Sequence, residues 1–370
     1  MGSDQSSDSE EEKNITFEND DSSYIYNAFL ILYNLIPFKK HVINQDLREN
    51  TTRQMLKLLK RIFLKDDVKK INLEKYSKKI LNLIKNIYKL DLGNSPGKIL
   101  IQILEILHFE ENHGKIIIWE DYIVHNQQLL TNTFNQQQAL IDFLNGNKEY
   151  QKTKIAELFQ GIILTRRQLF NNPNIMHFFN YYCVIELDLP FIYQSYSSLR
   201  RNMKNQNTQK DEISLIDCLL FMKITKNDIY NGQQGFVEHH IYKGPPFLIF
   251  LLKRENDINT YKGDFTVKKE ENLSQLIIMK ENNMQNIYKL ISVIKERKIV
   301  VKKRKISENK WLQEEENYYK DDKTDGKYLS IFLGENNNYY YYNKNKEKKV
   351  FNLNSKDEDF YYHILVFQKF

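Results

Sequence analysis

The sequence predicts an α+β protein, with a helical N-terminal half followed by a mostly antiparallel C-terminal sheet. Residues 51–90 repeat apolar positions at helical spacing among many lysines, whereas short apolar runs bounded by turn residues appear from residue 158 onward. The clearest run is Phe247–Leu252, which follows two prolines and ends at two cations. Such a short run after prolines is typical of extended backbone, so it predicts a central strand buried on both faces.

The N-terminal half contains the helical patterns. Ser22 and Ser23 are suitable caps for the first helix, and Pro37 is expected to end it. The predicted helices are Tyr24–Leu35, two Lys-rich helices within 51–90, Ile99–Leu107 and the Gln-rich stretch Asn126–Leu144.

The C-terminal half contains the strand patterns and one short helix, Ser214–Phe221, with Ser214 as its cap. The predicted strands are Leu158–Leu164, Tyr182–Leu189, Phe247–Leu252, Tyr288–Ile294, Tyr328–Leu333, Tyr339–Tyr342 and His363–Phe367. The charged segment 295–326 is predicted to be a mobile insertion.

Charge divides the chain into an acidic tail and a basic body. Residues 1–14 are rich in Ser, Asp and Glu and predict a disordered tail. Residues 1–21 contain eight acids and one base, so the rest of the chain has 53 bases, 40 acids and a net charge of +13. A basic surface attracts nucleic acid, but no nucleic-acid-binding motif accompanies it, so nucleic acid is not expected as a partner.

Composition excludes several classes of protein. No apolar run approaches the roughly 18 residues of a membrane span and no signal peptide is present, so the chain is expected to be cytoplasmic or nuclear, without a membrane partner. Cys183 and Cys218 are the only cysteines, which excludes a disulfide framework and a cysteine-based zinc site. No cofactor and no metal are expected.

Four motifs occur in the order found in one known family. They are Leu-Phe-Gln-Gly at 158–161, Ser-Leu-Ile-Asp-Cys-Leu at 214–219, the Pro-Pro strand at 245–254 and Tyr-His-Ile-Leu-Val-Phe at 362–367. From about Ser22 to Lys369 the chain therefore resembles the ubiquitin-specific proteases, papain-like deubiquitinases built as thumb, palm and fingers.

The resemblance implies one domain over 15–370. Its helical thumb would extend over about 15–155, and its fingers and palm over about 156–370, with the charged insertion at 295–326.

The family's catalytic cysteine is not matched by a thiol. The Cys-Tyr-x-Asn-Ser box resembles residues 23–27, Ser-Tyr-Ile-Tyr-Asn, so Ser23 occupies the nucleophile position. A shift of one residue would place Tyr24 there instead. Asn19 lies near the position of the oxyanion-hole asparagine, but one residue too close to Ser23.

The family's histidine is also replaced. The Gly-His-Tyr box resembles residues 326–328, Gly-Lys-Tyr, so Lys327 occupies the position of the base. The segment that carries the third catalytic residue resembles residues 339–343, where Asn343 is an acceptable orienting residue. A papain-like thiol needs imidazole to form the thiolate, and a hydroxyl beside an ammonium group has no base. We therefore expect Ser23 to be a helix cap, since an active Ser-Lys pair would require a desolvated lysine.

The remaining family features are reduced as well. The Gln-Gln-Asp helix is represented only by Gln-Gln-Gln-Ala at 136–139, and the Cys-x-x-Cys pairs that bind zinc in the fingers are absent from the sequence. We interpret the chain as a catalytically degenerate member that binds ubiquitin, a ubiquitin-like protein or a protein complex. Two alternatives stay open: an active ubiquitin carboxyl-terminal hydrolase that uses Cys183 or Cys218, and a basic structural or RNA-associated protein.

Other reactive side chains are assigned to ordinary structural positions. His239 and His240 are neighbours on a predicted strand, so they point to opposite faces and do not predict a metal site. Cys218 is expected in the core of its helix. The four tyrosines 339–342 are expected to bury alternate rings.

Overall fold

The computed structural model describes most of the chain in separate stretches. They are 21–47, 52–65, 73–90, 95–112, 135–146, 152–202, 212–223, 226–255, 260–261, 263–267, 288–297, 300–307, 310–316, 328–333, 338–342, 348–351 and 360–369. Helices predominate before residue 160 and strands after it, so the predicted α+β class is confirmed. The predicted tail 1–14 lies outside the described residues. No helix among the described residues is long and apolar enough to cross a membrane.

Most helices follow the predicted positions. They are α1 Asp21–Asn34, α2 Ile36–Asn44, α3 Gln54–Phe63, α4 Leu73–Asn82 continued by a π-helical turn Leu83–Ile87, α5 Pro96–Glu111, α6 Gln136–Gly146, α7 Lys154–Phe159, α8 Leu189–Asn202 and α9 Leu215–Lys223.

Two details of the N-terminal helices differ from expectation. Pro37 was expected to end the first helix, but α1 already ends at Asn34. Pro37 lies in the first turn of α2, where a residue needs no N–H because that group has no partner within the helix. Of the predicted helix 126–144, residues 126–134 lie outside the described part of the chain.

The strands that the structure describes form two larger sheets and two small ones. They are β1 Gly161–Leu169, β2 Ile175–Tyr182, β3 Val184–Asp188, β4 Glu212–Ser214, β5 Lys226–Tyr230, β6 Gln233–Lys243, β7 Phe247–Lys253, β8 Asp264–Thr266, β9 Tyr288–Arg297, β10 Val300–Ser307, β11 Lys310–Glu316, β12 Tyr328–Leu333, β13 Tyr339–Tyr342, β14 Lys348–Phe351 and β15 Phe360–Lys369.

The seven-stranded sheet has the order β14-β13-β12-β9-β15-β7-β3. Its neighbours are antiparallel except for β3 and β7. All residues of Phe247–Leu252 are buried, so the prediction of a strand covered on both faces is confirmed. The predicted central strand is an inner strand of the sheet, since β7 pairs with β15 on one side and β3 on the other, and it lies second from the β3 edge.

The seven-stranded sheet separates two hydrophobic cores. On one face, Ile249, Leu251, Ile294 and Ile364 pack with α1 to α5 and α7. On the other face, alternate residues of the same strands pack with residues of α8 and α9. This alternation follows from the period of two along a strand, and it places α1 and α9 on opposite sides of the sheet.

The four-stranded sheet has the order β2-β1-β6-β5, and α6 packs on it through Phe143, whose ring centre lies 4.5 Å from that of Tyr181.

The predicted strand 158–164 begins too early. Leu158 and Phe159 end α7, which is capped by the Thr153 hydroxyl accepting the Ala156 N–H at 3.0 Å, and β1 begins only at Gly161.

Two further predicted boundaries are corrected by the structure. The predicted strand 182–189 is divided at Cys183 between β2 and β3, and Leu189 already begins α8. The charged insertion does not begin at residue 295, because β9 continues to Arg297. Beyond it, β10 and β11 pair with each other as a hairpin. Ser214 caps α9 as predicted, accepting the Asp217 N–H at 3.1 Å.

Replacing Gly235 with alanine should destabilise the four-stranded sheet. A Cβ at this position would collide with the backbone oxygen of Gln168, which is fixed by the β1–β6 pairing and cannot rotate away as a side chain would. We expect the free energy of unfolding to fall by about 2 kcal/mol, as for other overpacked sites. Denaturant unfolding measures this, with Gly146→Ala as the control because its added Cβ meets nothing within 4 Å. An equal loss in both variants would contradict the clash.

Candidate functional site

The candidate site lies where the first turns of α1 meet the start of β12. The Ser330 hydroxyl donates to Asn27 Oδ1 at 2.6 Å, and both side chains are buried. One turn earlier on α1, the Tyr24 ring packs edge-on against that of Tyr328 at 5.5 Å. A polar pair inside a hydrophobic core is satisfied in only a few geometries, so it fixes how α1 lies on the strand.

A histidine and a carboxylate lie on the same face, beside Tyr328. The His363 ring is 5.3 Å from the Tyr328 ring, and its Nδ1 is 3.6 Å from Glu296 Oε2. The Tyr328 hydroxyl donates to Glu296 Oε1 at 3.4 Å. The β9–β15 register shifts between Tyr362 and Ile364, so a β-bulge occurs at His363. The bulge directs the imidazole to the face that α1 covers.

The opposite face at this end of the sheet is packed as core. The Lys295 ammonium is buried and lies 4.9 Å from the centre of the Tyr362 ring. The Tyr339 hydroxyl donates to the Leu290 carbonyl at 2.8 Å. Burial, with a smaller contribution from Tyr362, raises the pKa of Tyr339 to about 12. Tyr339 is therefore a neutral core residue, whereas Tyr340 and Tyr341 are partly exposed.

The predicted site residues are only partly within the described structure. Ser23 is the third residue of α1, so its backbone is inside the helix and it is not the N-cap that we expected. The side chain of Ser23 and the residues Asn19, Lys327 and Asn343 lie outside the described part of the chain. The structure does bring together the elements next to them, since Tyr24 follows Ser23 and Tyr328 follows Lys327.

Both thiols of the chain are buried. Cys218 is fully buried among the α9-side residues, on the face of the sheet opposite α1, so its predicted core position is confirmed. Cys183 lies between β2 and β3 and is also buried, and this burial raises the pKa of its thiol. A cysteine nucleophile needs a lowered pKa, so the environment of Cys183 does not favour a thiolate.

The histidines of β6 are engaged in local contacts. His239 Nδ1 lies 3.1 Å from the Thr165 hydroxyl, and His240 Nε2 lies 3.0 Å from Glu238 Oε2. Within the described residues no group of three or more His, Cys, Asp or Glu side chains is arranged to hold a metal ion.

Comparison with known proteins gives matches in structure and none in sequence. No protein-family model matches the chain, and no curated protein matches it. A SAGA DUB module with a substituted Ubp8 and a truncated Sgf11 matches with a TM-score of 0.59 and 13% identity, covering 99% of this chain and 72% of that chain. The chain has a ubiquitin-specific-protease-like fold. A yeast SAGA DUB module with a substituted Sgf73 gives a TM-score of 0.58 and 13% identity over 96% of this chain and 70% of that chain.

The names used for this fold can now be given to the described elements. As labels for the described elements, we call α1–α5 and α7 the thumb, the seven-stranded sheet the palm and the sheet β2-β1-β6-β5 the fingers. α6 lies within the range 15–155 expected for the thumb, but it packs on the fingers. The candidate site then lies between the thumb and the palm. Sequence reasoning missed Glu296, which it placed in the insertion, and His363, which it used only as part of a strand motif. Their approach depends on strand register and a bulge, for which the sequence has no local signal.

Proposed function

We propose that this chain is a catalytically degenerate protein of ubiquitin-specific-protease-like fold that acts as a binding or scaffold module, with ubiquitin or a ubiquitin-like protein as its first expected partner. The observation that supports it most strongly is the placement of the thiols. Cys218 is buried on the far side of the palm from α1, and burial raises the pKa of Cys183. A papain-like reaction at the start of α1 therefore has no thiolate.

The contacts that hold α1 on the palm are present, whereas the assigned catalytic positions lack a thiol and an imidazole. The Asn27–Ser330 hydrogen bond and the Tyr24–Tyr328 contact keep α1 fixed on the palm. The degenerate positions that we assign, Ser23, Lys327 and Asn343, supply no thiol and no imidazole. Such an arrangement is suited to holding a partner's surface without cleaving it.

The second candidate, an active ubiquitin carboxyl-terminal hydrolase, is favoured by one observation. His363 and Glu296 form an imidazole–carboxylate pair on the α1 face of the palm. A base alone does not supply a nucleophile, however, and a serine hydroxyl needs a base within hydrogen-bond reach. We therefore keep this as the alternative that the experiment tests.

The test has two measurements on the full-length protein. First, incubation with ubiquitin carrying a C-terminal electrophile should give no covalent adduct by intact-mass analysis, and ubiquitin with a fluorescent C-terminal amide should not be cleaved. An adduct at Cys183 or Cys218, or cleavage that Ser23→Ala abolishes, would establish the active alternative. A known active deubiquitinase serves as the control for both reagents.

Second, a titration with isotope-labelled ubiquitin should show binding at a defined surface. It is repeated on a variant in which residues 300–316 are replaced by a short Gly-Ser linker, since β10 and β11 pair only with each other among the described strands. Binding by both proteins supports a ubiquitin reader, and tighter binding by the variant indicates that the hairpin covers the site. Absence of binding by either protein would reject ubiquitin as the partner and leave only the scaffold form of the proposal.

A further inference from the structure

The outer surface of the first helices is strongly basic. Among the side chains that the structure describes in 21–112, the only exposed acid is Asp46. The exposed cations of the same stretch are Lys40, Arg61, Lys75, Lys78, Lys79, Lys85, Lys89 and Lys98. A surface with one sign of charge attracts a partner of the opposite sign, so this part of the thumb is suited to an acidic ligand.

Several of these cations follow one face of α4 and the π-helical turn. We define the lysine stripe as Lys75, Lys78, Lys79 and Lys85. Spacings of three, four and seven residues place side chains on the same side of a helix. The opposite side is buried and carries Ser77, Ile80, Leu81 and Ile84. Like charges four positions apart repel each other along a helix, so an anionic ligand on the stripe relieves that repulsion.

The start of α1 lies beside this helix. Ile25 and Tyr26, close to the beginning of α1, line a small cavity together with Tyr76 and Ser77 of α4. The axes of two packed helices are about 8–10 Å apart. The lysine stripe is about 15 Å long, because a helix rises 1.5 Å per residue. The chain therefore enters α1 within a short distance of the stripe.

The residues that precede α1 carry the complementary charge. An acidic block at residues 8–12 contains four acids and no base. Residues 1–20 lie outside the described part of the chain, and α1 begins at Asp21. An extended chain spans up to about 30 Å from Glu12 to Asp21. This length is enough to bring the acidic block to the lysine stripe.

We propose that the acidic block binds the lysine stripe of the same chain. Attachment through a short linker raises the effective concentration of the block at the stripe to roughly the millimolar range, which favours it over an acidic ligand in solution. Single exposed ion pairs are weak and screened by salt, so the contact is reversible and salt-sensitive. It goes beyond the proposed function, because it concerns the outer face of the thumb and not the cleft between thumb and palm.

Cross-linking of carboxylates to lysines with a carbodiimide tests the contact on the full chain. A mixture of ¹⁴N- and ¹⁵N-labelled protein is treated, and the linked peptides are identified by mass spectrometry. We expect the acidic block to be joined to stripe lysines within chains of one isotope, with a yield that falls several-fold from about 50 to about 500 mM salt. Absence of these links, links only to lysines outside the stripe, or pairs of mixed isotope would overturn the proposal.

Heparin chromatography tests whether the block covers the stripe, with heparin as a polyanionic probe. The tail variant combines Glu10→Gln, Glu11→Gln and Glu12→Gln. Its matched control neutralises a second run of three acids, through Asp357→Asn, Glu358→Gln and Asp359→Asn. Both variants gain the same net charge, so a difference between them reports the place of the acids and not their number. The tail variant should elute at higher salt than the control, because its stripe is no longer covered.

A third variant assigns the effect to the stripe. It combines Lys75→Gln, Lys78→Gln and Lys79→Gln, which change exposed positions of α4 to another good helix former. In this background the tail substitutions should no longer shift elution, because the two sets of residues act through one contact. An undiminished shift, or tail and control variants that elute together, would overturn the proposal and leave the stripe to a partner in solution, such as nucleic acid.

Discussion

Replacing Glu110 with alanine should lower the free energy of unfolding by about 3 kcal/mol, because it leaves buried backbone donors without a partner. The Glu110 carboxylate is buried and accepts the N–H groups of Met55 and Leu56, in the first turn of α3, at 2.7 and 2.8 Å. It also accepts a hydrogen bond from the Tyr88 hydroxyl. The Glu110 side chain of α5 therefore caps α3 and also binds Tyr88, the residue that follows the π-helical turn.

Denaturant unfolding of three variants separates these contributions. Tyr88→Phe removes only the hydroxyl contact and should cost about 1 kcal/mol, since the N–H donors stay satisfied. Glu110→Gln retains an acceptor oxygen and should lie between Tyr88→Phe and Glu110→Ala. A loss for Glu110→Ala no larger than that for Tyr88→Phe would contradict the capping role.

The same carboxylate makes stability depend on pH. Burial raises the pKa of Glu110 above its usual value, although the hydrogen bonds from Tyr88, Leu56 and Met55 oppose the shift. A group with a raised folded pKa contributes stability that is complete below its unfolded pKa of about 4.3 and is lost as pH rises through the folded pKa. The wild-type advantage over Glu110→Gln should therefore decrease as pH rises from about 4 towards neutrality.

Local sequence patterns predicted the elements whose burial follows a simple period. The apolar spacing of 55–63 predicted α3, and the ranges of β12 and β13 were predicted without error. The strands β5 and β6 were missed because Gln233–Lys243 mixes polar and apolar residues in a sheet that is partly exposed. Leu158 and Phe159 were wrongly assigned to a strand because they belong to an apolar run. In the structure they end α7, whose cap at Thr153 cannot be read from that apolar pattern.

The candidate site shows a different limit of sequence reasoning. The family resemblance assigned Ser23 and Lys327 to one catalytic site, and the residues next to them, Tyr24 and Tyr328, are in ring contact. Glu296 and His363 are 67 residues apart and meet only through the pairing of β9 with β15 and the bulge in β15. Such meetings depend on the register of non-adjacent segments, which no local window contains.

Installing both missing groups should restore a reactive nucleophile. In Ser23→Cys combined with Lys327→His, the imidazole can draw the proton from the thiol, as papain-like chemistry requires. The structural reason to choose these positions is that Tyr24 and Tyr328, the residues that follow them, are in ring contact at 5.5 Å. We expect the double variant to form an adduct with ubiquitin carrying a C-terminal electrophile, whereas Ser23→Cys alone and Lys327→His alone do not.

The comparison also tests the alignment and the role of His363. Tyr24→Cys with Lys327→His examines the alternative register, and an adduct there but not at residue 23 would assign the nucleophile position to Tyr24. An adduct with Ser23→Cys alone would mean that an imidazole of the wild-type protein already acts as the base. Among the described residues, His363 lies on this face beside Tyr328 and Glu296 and is the candidate for that base. Combining Ser23→Cys with His363→Gln should then abolish the reaction. If the double variant binds ubiquitin yet stays unlabelled, the start of α1 is not where the ubiquitin C-terminus arrives, and the degenerate-site assignment fails while the fold assignment stands.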